Sequence, residues 1–110
     1  MRLTTQDKAE AFHRLHSENR ILILINAWDA ASARIIEEAG SQAIATTSAG
    51  MAWALGYSDG EQVGLRELLE ACARICRVVT TPVSVDIEQG YGKTPDEVAA
   101  TVRSLLELGV

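Results

Sequence analysis

The 110-residue chain has no basic run and no basic stripe: ten Lys and Arg stand against fifteen Asp and Glu, a formal charge of −5. An acidic balance repels a phosphate backbone, which argues against nucleic acid as a partner. It also means that a small anionic substrate needs a local positive charge or a metal. Long apolar runs are missing too. None exceeds the five residues of the 21–25 stretch, ILILI, whereas a bilayer span takes about 20. The first residues also lack the basic, apolar and small-residue succession of a signal peptide. A soluble, cytoplasmic protein with no membrane partner is the expectation. Cysteine is limited to Cys72 and Cys76, four apart on a helical pattern. There the side chains run roughly parallel, a poor disulfide geometry, so two reduced core thiols are expected. His13 and His16 share one helix face, and no cysteine or carboxylate completes a zinc set around them.

What is present is ordinary single-domain composition, 47% hydrophobic and 23% charged, neither disordered nor membrane-like. Apolar spacing predicts a first helix over residues 4–17, with Thr4 as N-cap. The period then changes to the continuous apolar run 21–25, read as a strand that stops at Asn26. Asp29 caps a helix carrying Ala33, Ile36 and Ala39, and Gly40 closes it. A second strand is expected over 43–46. The connection "TSAGMAWALGYSDGE" is left mostly irregular, with a short helix at 51–55, and Trp28 and Trp53 are read as packing residues. Helical spacing returns over 65–78.

After Thr81-Pro82 the chain restarts in extended form. On a period of two, Val83, Val85 and Ile87 point one way and Ser84, Asp86 and Glu88 the other. "TPDE" then starts a helix, with Thr94 as N-cap, Pro95 at N1 and Glu97 completing a capping box. Lys93, just before the cap, reads as a solvated lysine. The order is a leading helix and three strand-helix units, which implies right-handed crossovers and a parallel sheet. Asn26, the 46–50 segment and the 86–92 segment fall at C-terminal strand ends. Both (β/α) barrels and open α/β sheets build their sites there.

Four segments, "NAWDAASARIIEEAG" (26–40), "ATTSAG" (45–50), "LGYSDGE" (55–61) and "VDIEQGYG" (85–92), occur in order and spacing. Together they resemble the isocitrate lyase and phosphoenolpyruvate mutase family, the last being similar to its Asp-x-Asp-x-Gly-Tyr-Gly signature. The resemblance covers residues from about 10 to 110. It implies the N-terminal part of a (β/α)8 TIM barrel, about three of eight β/α units, as one partial domain over 1–110. A complete barrel of this type takes on the order of 200 residues or more. The general acid or base is left unassigned, and the family's further metal-associated glutamate and mobile loop are expected beyond Val110.

The activity implied is that of a Mg²⁺-dependent lyase or phosphonomutase, with Mn²⁺ able to replace Mg²⁺. It would act on an enolate-forming α-oxo-acid, a small carboxylate or a phosphonate, and a complete barrel is expected to be a homo-oligomer. By the same resemblance Asp86 is the acid nearest the metal, and Glu88 and Asp59 act directly or through metal-bound water. Thr47, Ser48 and Ala49 match the segment that holds the substrate carboxylate. The chemistry of these residue types agrees: Mg²⁺ prefers oxygen ligands and keeps several waters, so a few carboxylates suffice. A metal there stabilises charge that develops beside a carbonyl, and N–H groups of a short loop can hold an anion without a lysine. Glu88 stands where better-known branches carry aspartate, and Gln89 replaces a small residue. Two rivals are an inactive truncated barrel that acts by associating with a partner, and a flavodoxin-like open sheet.

Overall fold

Helix starts in this chain are built from side chains that reach one turn forward. In the computed structural model, which describes residues 3–110, helix α1 (Thr5–Ser17) begins with a capping box in which Thr4 and Asp7 bond each other's backbone N–H. Asp29 and Ser32 do the same for α2 (Ala30–Glu38). Thr94 and Glu97 do so for α5 (Pro95–Glu107), with Pro95 in its first turn. Each such cap stabilises its helix by about 1 kcal/mol. Between them lie β1 (Ile25–Ala27), β2 (Ile44–Thr46), α3 (Ser48–Leu55), α4 (Leu65–Val78) and β3 (Val83–Ser84). Among the described residues the strands form one parallel sheet in the order β1-β2-β3.

The strands are shorter than the sequence pattern predicts. Pairing starts at Ile25, opposite Ile44, and runs to Ala27, opposite Thr46. Residues 21–24 therefore precede the ladder, because the chain that would pair with them on the β2 side is still leaving α2. Ile21 and Ile23 are left 92% and 72% exposed. Likewise β3 pairs only at Val83 and Ser84, although the alternation continues beyond it: Val85 and Ile87 pack inward while Asp86 and Glu88 are exposed. In the connection after β2, helix α3 starts at Ser48 rather than Met51, because Thr47 accepts the Gly50 N–H and caps it. Trp28 and Trp53 do not pack into the core; they are 47% and 69% exposed.

Two apolar clusters hold these elements. One joins the sheet to α2 and α4 through Ala27, Ala33, Ile44, Ile75, Cys76, Val79 and Val83. The other sits under α3, α4 and α5 and includes Met51, Ala52, Leu68, Cys72 and Leu105. Both cysteines are buried and free, as two core thiols should be. The entry to β3 is pinned by Glu37 of α2, whose carboxylate accepts the Thr80 N–H and O–H at 2.7 and 2.8 Å and the Thr81 N–H at 2.8 Å. Among the described residues no helix is long and apolar enough to cross a membrane.

Candidate functional site at the C-terminal strand ends

The site starts where the ladder stops. Beyond Ser84 no sheet pairing among the described residues holds the chain, and a side chain takes over: the buried Thr46 Oγ1, at the end of β2, accepts the Asp86 N–H at 3.0 Å. Asp86 Oδ1 in turn accepts the Glu88 N–H at 2.9 Å, a local turn of the kind aspartate side chains form. The chain then reverses through Glu88, Gly90 and Tyr91, at φ of 53°, 91° and 55°. Gly92 closes the turn against α5. A Cβ there would stand 2.6 Å from Glu97 Cβ and 2.9 Å from the Val98 nitrogen, so only glycine lets the turn meet the helix.

A second loop, residues 56–64, docks on this turn. The Glu61 N–H donates to Glu88 Oε1 at 3.0 Å, and Glu61 Oε2 accepts the Gln89 N–H at 3.0 Å. Glu61 was not among the residues singled out from the sequence. Nothing local marks it, since both its partners lie on the other loop.

Of the residues expected to hold substrate, Ser48 lines one small cavity together with Met51, Asp86, Glu88 and Tyr91. Thr47 spends its hydroxyl on the Gly50 N–H at 3.2 Å, and Ala49 is half-buried in the first turn of α3. The N–H groups that open α3 are of the kind that bind anions. Asp59 is exposed and accepts the Gly60 N–H at 2.9 Å; it shares the docked loop with Glu61 but not the cavity. Among the described residues no three His, Cys, Asp or Glu side chains converge on one point.

The donor set nonetheless suits Mg²⁺. Among the described residues Asp86 Oδ2 and Glu88 Oε2 carry no hydrogen bond, because the partners engage Oδ1 and Oε1. Two carboxylates with water filling the remaining positions is an ordinary Mg²⁺ environment. Tyr91 stands beside them. Burial, then Glu88, Glu61, Cys72 and Asp86, push its phenol up to about 12, so it remains a neutral O–H donor at neutral pH. Its place inside Gly-Tyr-Gly was the signal that could have marked it.

Comparison with known proteins follows the same lines. The family model described as phosphoenolpyruvate phosphomutase matches residues 12–110. The 2-methylisocitrate lyase of Salmonella typhimurium is 30% identical over 108 residues, 97% of this chain and 37% of its own length. Among solved structures, a candidate lyase/mutase from Burkholderia cenocepacia J2315 superimposes with a TM-score of 0.91 at 39% identity, over 96% of this chain and 38% of that one. A 2,3-dimethylmalate lyase of the PEP mutase/isocitrate lyase superfamily gives 0.84 at 28% identity, over 98% of this chain and 38% of that one. The chain spans about 38% of the length of the first curated relatives it matches.

Proposed function

Because the chain belongs to the phosphoenolpyruvate mutase and isocitrate lyase family and has the fold of the N-terminal portion of its TIM barrel, we propose that it carries the metal and carboxylate-binding rim of a Mg²⁺-dependent lyase or phosphonomutase. The substrate class is a small α-oxo-acid or a carboxylate that becomes enolate-like when the bond beside its carbonyl breaks. The observation that carries this is that Ser48, Asp86 and Glu88 border one small gap of about 10 Å³ at the C-terminal strand ends.

Each residue has a task there. Asp86 and Glu88 would hold Mg²⁺ through the oxygens their backbone partners leave open, and Asp59 would reach it through water. Bound at that place, the ion supplies positive charge opposite the oxygen that gains electron density. The Ser48 hydroxyl and the opening N–H groups of α3 hold the substrate carboxylate. Thr47 and Ala49 shape that turn, Thr47 by capping it. The neutral Tyr91 phenol offers a proton to hydrogen-bond but does not release it at neutral pH.

A second reading, association with a partner, is favoured by Ile21, Ile23 and Ile25, which stand 92%, 72% and 45% exposed beside the unpaired edge of β1. Uncovered apolar strand edges invite pairing. Calorimetric titration with Mn²⁺ in the presence of oxalate, an enolate mimic, separates the two readings. Binding by the chain that disappears in Asp86→Ala supports the metal site. A folded chain that binds nothing favours the partner reading.

A further inference from the structure

We propose that Glu61 is a positioning residue that latches the loop carrying Asp59 onto the Asp86–Glu88 turn, and that metal binding and loop docking reinforce each other through it. The latch is an exchange: Glu61 gives its N–H to Glu88 and takes the Gln89 N–H, each at 3.0 Å. Glu61 and Glu88 lie 27 positions apart in sequence. Among the described residues the non-glycine positions with positive φ are Glu61, Glu88 and Tyr91. Two of the three are the latch partners themselves. Such conformations persist when surrounding contacts over-determine them, and here the contacts are the exchanged bonds.

The latch also accounts for the length of residue 88. An aspartate would end about 1.5 Å short, and its carboxylate would no longer reach the Glu61 N–H while Asp86 still held the Glu88 backbone. The extra methylene therefore lets one carboxylate bond the loop through Oε1 while Oε2 carries no hydrogen bond among the described residues. The latch fixes the Glu88 carboxylate through Oε1, and a cation held by that carboxylate favours the same placement, so each event favours the other, and linkage makes the coupling reciprocal. The coupling to metal rests on the function proposed above; the latch itself does not.

The test reads both parts in the full chain. Amide hydrogen exchange is followed without metal in the wild type, Glu88→Asp, Glu61→Ala and Glu61→Gln, with the Ile75 amide of α4 as a measure of global folding. The Glu61 amide is expected to exchange about tenfold faster in Glu88→Asp. The Gln89 amide should be faster in Glu61→Ala and restored in Glu61→Gln, while Ile75 is unchanged. Titration with Mn²⁺ alone should then show affinity weaker by about tenfold in Glu61→Ala, returning to within about twofold of wild type in Glu61→Gln. Equal Glu61 exchange in wild type and Glu88→Asp overturns the latch. Protected amides with equal Mn²⁺ affinity in wild type and Glu61→Ala overturn the positioning role. Protected amides in a wild type that binds no Mn²⁺ overturn the metal reading and that role with it, and the amides tell this apart from failure of the latch.

Discussion

Thr46 Oγ1 accepts the backbone N–H of Asp86 at 3.0 Å across 40 positions of sequence, two residues past the last paired residue of β3. This single side chain decides where the acid leaves the sheet. Thr46→Val keeps the shape and removes the acceptor, and is expected to cost about 1 kcal/mol in urea unfolding and to weaken Mn²⁺ binding. Thr46→Ser, which keeps the oxygen, should retain the Mn²⁺ affinity of the wild type. Unchanged Mn²⁺ affinity in the valine variant would show that Asp86 is placed by other means.

Gly92 is required by space. The Cβ of alanine would meet Glu97 Cβ at 2.6 Å, the Val98 nitrogen at 2.9 Å and the Glu97 carbonyl carbon at 3.0 Å, and two of these are backbone atoms of α5. Gly92→Ala should therefore lower stability by ~1–3 kcal/mol, read as a lower melting temperature. A variant that melts with the wild type would mean the turn has room to shift.

Glu37 predicts an acid-sensitive joint between α2 and β3. Burial works to raise its carboxyl, but the Thr80 O–H and N–H and the Thr81 N–H together outweigh burial and hold it below the ordinary 4.5. A group depressed in the folded state contributes stability that is present above its unfolded value and lost as pH falls through its folded value. The stability gap between wild type and Glu37→Gln should thus be constant near neutrality and narrow below about pH 4.5. Urea unfolding from pH 7 to pH 3 measures it; a gap that stays constant to pH 3 would remove Glu37 from the acid response.

The two thiols should be silent in the native state. Burial, with Cys76 adding to it, pushes the Cys72 thiol up to about 12; burial also raises Cys76, against a smaller pull from Lys8. Because the thiolate is the reactive form, Ellman's reagent at pH 8 should find no rapidly reacting thiol until the chain unfolds. A thiol that titrates immediately would mean that α4 opens locally.

Much of this molecule was legible in advance because its information is short-ranged. The Thr94-Pro95-Glu97 start of α5 and the Asp29 cap of α2 are settled within one helical turn, and so are visible in four consecutive residues. The buried stripe of α4 follows from spacing alone. The order of strands and helices fixed the parallel sheet, and "VDIEQGYG" pointed to the family. Tertiary structure alone decided the rest. Which part of the 21–27 stretch pairs depends on where β2 begins, and the apolar run itself carries no register. The bonds that build the candidate site, Thr46 to Asp86 and Glu61 to Glu88, link residues 40 and 27 positions apart. Only the folded sheet brings them within hydrogen-bond distance, so no local pattern could announce Glu61.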